Sequence, residues 1–391
     1  MKARVLLLTA SFGGKNHTVN EVLKEEWEGK GSVCESVDLI SCLPSWFKLY
    51  LHIVEKVSRL SHLIFHQSNK RGYRFPSVAL DSSFFWSRAI ERIQLSRPSI
   101  IISVHPLATA VASLAIRCDA FKTKPSLFSL VTDYSSYGMS LTKETTAVFL
   151  PDKNEVIEQQ KAFPFTKFVQ GCVPIEKKWY NRADKDKLRE RLGLPSNMRI
   201  ATLRGELPYK KMIHYFKRCE EPWMLLCFPR ENKREQKVLS KVKSRHDVRV
   251  FSNTQSISGY VKASDVLISK PESTAMAEAN VAQVPTIMTK PSPGVEEANV
   301  RRLIHYPLFS SVTDLKMIGK RAEEVVQKQT SFDQADRFPM VKTEEMIENM
   351  IRLREVDRKK VVTPGEKGHL YRFHHELMMR RKREEEREFH S

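Results

Sequence analysis

The chain has 391 residues, 41% of them hydrophobic and 28% charged, with a formal net charge of +19. That length supports two domains with their own cores, and the composition excludes a globally disordered chain. The basic excess is spread along the chain rather than gathered in one tail, which favours anionic partners such as nucleic acid, lipid head groups or phosphorylated substrates.

Met1 to Ala10, MKARVLLLTA, imitates a signal peptide, but its apolar core is too short and Gly-Gly-Lys-Asn-His soon follows. Arg4 to Thr9 therefore reads as a buried first strand. The loop from Ser11 to His17 precedes a helix from Thr18 to about Gly29. Gly13 and Gly14 let a substrate approach the backbone there, and a helix start favours an anionic group. His17 is a candidate base, acid or acceptor-binding group; the plain alternative is a tight turn with a surface histidine. Val33 to Leu39 reads as a second strand.

Phe47 to His66 places Leu49, Ile53, Val57, Leu60 and Ile64 on one helical face, with His52, Lys56, Arg59 and His62 around it. Lys70, Arg71 and Arg74 follow. Such a helix can lie on an anionic bilayer, but packing on its own sheet is the more common outcome; Trp46, Phe47 and Phe84-Phe85-Trp86 add weight to the bilayer without deciding for it.

Ser99 to Val104, Ser126 to Thr132, Ala147 to Leu150 and Lys167 to Gln170 read as further strands with helices between them. His105 and Asp133 each follow a strand, where carboxyl ends open onto a ligand crevice. Asp133 is a candidate base for an acceptor hydroxyl; capping by Asp133 and packing by His105 are the structural alternatives.

The pattern breaks near residue 175. A helix from Lys185 to Leu192 then leads into strands at Arg199 to Leu203, Trp223 to Phe228, Val248 to Phe251, Asp265 to Ile268 and Thr286 to Met288. The densest stretch is Ala263 to Asn299, ASDVLISKPESTAMAEANVAQVPTIMTKPSPGVEEAN. It reads strand, tight turn, helix, strand, acidic loop. A helix opening at Ser273-Thr274 can receive phosphate. Glu278 can accept hydrogen bonds from a ribose, and Glu296 and Asn299 from a sugar. This window suggests a nucleotide-sugar site.

The expected fold is α/β in the GT-B arrangement: two Rossmann-like, doubly wound domains facing a cleft, with a C-terminal helix and charged tail. The expected limits are 1–174 for the acceptor domain, 175–340 for the nucleotide-sugar domain and 341–391 for the helix and tail. Six cysteines show no CxxC pair and no metal-like spacing with histidine, so reduced thiols, mostly buried, in a cytosolic protein are expected. Neither a cofactor nor a metal is expected. No stretch reads as a membrane span, so membrane contact would be peripheral. No aromatic-basic nucleic-acid module is visible, so no nucleic-acid partner is expected.

These segments resemble family 28 glycosyltransferases of the monogalactosyldiacylglycerol synthase and processive diacylglycerol glucosyltransferase type, over about residues 4 to 310. The carriers are SFGGKNH, SVHP, LVTDY, DKLRERLGLP and the window just described. The resemblance implies inverting, metal-independent transfer from a UDP-sugar to a lipid acceptor at the cytoplasmic face of a membrane. It implies that Glu278 holds the ribose, that Ser273 and Thr274 receive the diphosphate, and that Glu296, Glu297 and Asn299 face the donor sugar. It places His17, with Gly13, Gly14 and His105, beside the acceptor; the base is His17 or Asp133.

The chain departs from the family at Glu272-Ser273, where glycines follow lysine-proline, and at Leu203-Arg204-Gly205-Glu206, where a glycine-rich loop is usual. Ser252-Asn253 and Tyr137 are further departures. Glu272 would repel a diphosphate unless it turns away, and Arg204 would compensate by binding phosphate. The alternative is a catalytically impaired descendant that binds nucleotide-sugar or anionic lipid as a sensor or partner-binding module.

Overall fold

The computed structural model describes residues 3–10, 17–43, 83–118, 121, 123–135, 142–229, 237, 239, 244–251, 257–328 and 338–360. The chain divides into two compact units, 1–132 with 136–172 and 341–391, and 133–135 with 173–340. Each is built on a six-stranded parallel sheet.

The first unit runs β1 (Arg4–Thr9), α1 (His17–Gly29), β2 (Val33–Asp38), α2 (Ser83–Leu95), β3 (Ile100–Ser103), α3 (Pro106–Arg117), β4 (Ser126–Leu130), β5 (Thr145–Leu150), α4 (Lys153–Ala162) and β6 (Phe168–Gln170). Its strand order is β2-β1-β3-β4-β5-β6, so the chain steps to one edge and returns between β1 and β3. β3 and β4 are buried along their whole length, as parallel strands with helices on both faces must be. The edge strand β2 is partly exposed. Val19, Val22, Leu23 and Trp27 recur at helical spacing and bury one face of α1. Trp86 is buried in a second core of this unit, with Leu6, Leu8 and Ile101, so it offers nothing to a membrane surface. The stretch from Phe47 to His66, Lys70, Arg71, Arg74 and the charged tail lie outside the described residues.

The second unit runs α5 (Lys185–Arg191), β7 (Arg199–Gly205), α6 (Tyr209–Phe216), β8 (Trp223–Pro229), β9 (Asp247–Val250), α7 (Ile257–Ala263), β10 (Val266–Ser269), α8 (Ser273–Ala282), β11 (Thr286–Met288), α9 (Val295–Leu303), β12 (Phe309–Ser311) and α10 (Ile318–Lys328). The order β12-β11-β10-β7-β8-β9 is the doubly wound Rossmann order, and its direction reverses between β7 and β10. Asp265 fastens the start of β10: it accepts from Arg189 Nη2 at 2.8 Å and from the Ile200 amide at 2.7 Å. Arg189 also donates to the carbonyls of Ala263 and Ser196, which satisfies a guanidinium that is 95% buried. The DKLRERLGLP segment is thus an anchor for the second sheet.

The last helix, α11 (Thr343–Lys360), belongs to the first unit. Met346, Ile347 and Met350 join Trp27 and Phe149 in one core, and Asp357 accepts from Thr146 Oγ1 at 3.0 Å. Gly171 leaves room for this packing. A Cβ there would stand 3.0 Å from Phe149 Cβ and 3.2 Å from Met346 Sδ.

Candidate functional site

The carboxyl ends of β7, β10 and β11 lie side by side, because Arg204 registers with Ser269 and Ser269 with Met288. Ligands of doubly wound sheets bind at this reversal of strand order. Arg204, Gly205, Glu272, Ser273 and Thr274 all stand there, within the second unit.

β10 ends at Ser269, and Pro271 breaks the chain before α8 opens at Ser273. Small buried residues (Ala275, Ala277, Ala279) let this helix press against the sheet, and Gln283 ends it in the left-handed region at φ 60°. Glu272 is the N-cap, yet its side chain makes no capping hydrogen bond. Its Oε1 lies 3.9 Å from where a Cβ on Gly205 would be, so the carboxylate leans across the strand ends. Gly205 has φ 91°, a conformation that suits glycine, and its carbonyl accepts from Tyr209 Oη at 2.8 Å.

Asp133, Ser273 and Asn299 come together. Ser273 Oγ donates to the Asp133 carboxylate. Asn299 Nδ2 donates to Ser273 Oγ at 3.2 Å and to the Pro271 carbonyl at 3.0 Å, while its Oδ1 accepts from the Tyr134 amide at 3.0 Å. Asn299 is 1% exposed, so its amide acts as an internal tie between α8, α9 and the 133–135 segment.

Glu278, one turn into α8, is buried and accepts from Arg204 Nη1. Burial pushes the Glu278 carboxyl above its ordinary range, and Arg204 offsets this only in part. Burial draws the Arg204 guanidinium down, but Glu278, Glu272 and Glu176 outweigh it and the net shift is upward. Lys178, paired with Glu176 at 2.7 Å, also acts on Glu278. The two expected ligands, Arg204 for phosphate and Glu278 for ribose, are therefore each other's partner here.

Glu296 and Glu297 hold the turn before α9. Glu296 Oε2 accepts from the Ser292 amide at 2.6 Å, and Glu297 Oε2 from the Gly294 amide at 3.2 Å. Lys270 Nζ reaches Ser292 Oγ at 3.3 Å, so the loops after β10 and β11 are joined. A surface pocket of about 270 Å³ beside Ser135 is lined by Ala298, Arg301, Arg302 and His305; sequence spacing alone did not point to it.

In the first unit, His105 is the N-cap of α3, and its Nδ1 accepts from the Leu107 amide at 3.2 Å. Burial pushes its pKa down to about 4. Below it, Ser103, Thr109 and Ser129 form a buried hydroxyl chain with links of 2.7 and 3.0 Å. His17 is the first residue of α1, while Gly13, Gly14, Tyr137 and Ser252-Asn253 lie outside the described residues. Among the described residues no group of three or more His, Cys, Asp or Glu gathers as a metal site, and no helix is long and apolar enough to cross a membrane. Cys172, Cys219 and Cys227 are buried, and burial pushes each thiol up to about 12.

Residues 18–162 match the family described as monogalactosyldiacylglycerol (MGDG) synthase. A processive diacylglycerol beta-glucosyltransferase of Bacillus cereus is 22% identical over 311 residues, covering 76% of this chain and 78% of that protein. Its counterpart in Bacillus thuringiensis is 21% identical over the same share of each chain. Among solved structures, MurG of Acinetobacter baumannii matches with TM-score 0.57 and 12% identity, covering 89% of this chain and 99% of its own. The calicheamicin glycosyltransferase CalG4 matches with TM-score 0.55 and 11% identity, covering 92% and 100%. Anabaena Alr3699/HepE in complex with UDP and glucose matches with TM-score 0.50 and 14% identity, covering 89% and 99%. The chain therefore has the two-sheet fold of the GT-B glycosyltransferases, and across 18–162 it carries the sequence pattern of the MGDG synthase family.

Proposed function

We propose that the protein is a glycosyltransferase that moves a sugar from a UDP-sugar to a diacylglycerol-type lipid, with inversion and without a metal. The observation that carries this reading is the gathering of Arg204, Ser273 and Glu278 at the strand reversal of the second sheet, in a chain whose relatives are named as diacylglycerol glucosyltransferases. The first-turn amides of α8 and the Arg204 guanidinium supply positive charge for the departing diphosphate. Glu278 meets the ribose. Glu296, Glu297 and Asn299 shape the floor under the donor sugar.

The acceptor belongs to the 1–174 domain, near Gly13, Gly14 and His105. Of the two candidate bases, Asp133 already accepts from Ser273 in the donor unit. We therefore assign proton removal to His17 and give Asp133 the task of fixing the start of α8. The basic net charge fits a peripheral, cytoplasmic association with an anionic membrane.

The experiment is UDP release from a panel of UDP-sugars in the presence of diacylglycerol-containing vesicles. Release that is abolished by Glu278→Ala and unaffected by a chelator supports the reading. Absence of release with every donor and acceptor overturns it. One observation favours a second reading, a non-catalytic binder: Glu272 leans over the strand ends toward Gly205 and acts on Arg204, which adds negative charge at the proposed diphosphate position. Calorimetry with UDP separates the two, since tight binding without turnover selects the binder.

A further inference from the structure

The roles proposed for Arg204 and Glu278 compete with the bond between them. Glu278 is 95% buried at its side chain and takes its hydrogen bond from Arg204, whose side chain is 24% exposed at the end of β7. A neutral ribose hydroxyl is a poor replacement for a guanidinium beside a buried carboxylate, because the charge would lose its counter-ion. A diphosphate changes this balance. It offers the fork of Arg204 several anionic oxygens, so the guanidinium can leave Glu278 without losing a partner of its own. Glu272 and Glu176 act on the same guanidinium and resist that departure, while Lys178 remains near Glu278 when Arg204 leaves.

We infer that the Arg204–Glu278 pair is a specificity latch: diphosphate opens it by drawing Arg204 away, and only then does Glu278 accept the ribose. The inference rests on the nucleotide reading of this site. Its consequence is selectivity for an intact nucleoside diphosphate over either half alone. A nucleoside cannot open the pair, and pyrophosphate alone must part Arg204 from Glu278 with nothing to satisfy the carboxylate left behind.

The test is calorimetric titration with UDP, uridine and inorganic pyrophosphate, on the wild type, Arg204→Ala and Glu278→Gln. The wild type should hold UDP at least about a hundredfold tighter than uridine. Arg204→Ala should lose about a hundredfold for UDP while gaining for uridine. Glu278→Gln, which keeps the size and an acceptor oxygen, should gain about tenfold for pyrophosphate without losing affinity for uridine, whose ribose the wild-type pair already excludes. This second variant stands if Arg204→Ala fails to fold. Should Arg204→Ala weaken UDP and uridine in equal proportion, or Glu278→Gln leave pyrophosphate unchanged, the latch is refuted while the nucleotide site stands. Should the wild type bind no nucleotide at all, both readings fall.

Discussion

Ser273 donates a hydrogen bond from its hydroxyl to the carboxylate of Asp133, 140 residues earlier in the chain. The bond lies wholly inside the second unit, because residues 133–135 are counted with it rather than with the strand they follow. Asp133 is thereby tied to the first turn of α8, and Asn299 secures the same serine from the other side. Ser273→Ala should remove about 1–3 kcal/mol of stability, since it strips one partner each from a carboxylate and a buried amide. Ser273→Thr should retain most of it. Urea unfolding followed by tryptophan fluorescence checks both, and equal curves for Ala and wild type would reject the tie.

His17→Ala should lower kcat by about two to four orders of magnitude and leave the Kd for UDP unchanged, as removal of a general base does. Asp133→Asn should act in the other direction, with a modest change in kcat and a lowered Tm. If the large kcat loss follows Asp133→Asn instead, the two assignments exchange.

His105 predicts a pH dependence of stability. Its folded pKa of about 4 lies below the ordinary 6.5, since burial and its capping bond require the neutral ring. The unfolded chain therefore takes up a proton near pH 6.5 that the folded chain refuses until about pH 4. The contribution is complete above pH 6.5 and is lost as pH falls across that window, by at most about 3 kcal/mol. His105→Asn retains a capping acceptor without the titration. Its stability should vary less between pH 4 and 6.5 than that of the wild type, measured by denaturation across that range.

Gly205→Ala should cost about 1–3 kcal/mol through its backbone alone. The φ of 91° is unfavourable for alanine, whereas the added Cβ would meet Glu272 only at an ordinary 3.9 Å. Thermal unfolding checks the loss. Combining Gly205→Ala with Glu272→Ala should give no recovery, because no clash is being relieved.

The second sheet was legible where apolar runs end in strong punctuation. Val266 to Ser269 is stopped by Lys270-Pro271, and small residues mark α8 as a helix pressed on a sheet. β12 escaped because Phe309–Ser311 holds one buried apolar residue in three, too few to set a period. Site residues were legible by type and position after strands, but their pairings were not. Arg204 and Glu278 are 74 residues apart, and no local spacing records a contact made across the strand reversal. Glu296 and Glu297 also hold the backbone of the turn before α9, a contact that their position after a strand did not reveal.

The placement of α11 has a consequence for synthesis on the ribosome. Met346, Ile347 and Met350 complete the core that holds Trp27 and Phe149, so the amino-terminal unit, which otherwise ends at residue 172, lacks part of its interior until the chain has reached residue 346. The lobe translated first is then the lobe finished last. A nascent chain stalled before residue 343 should leave it open to proteolysis while the second unit already resists.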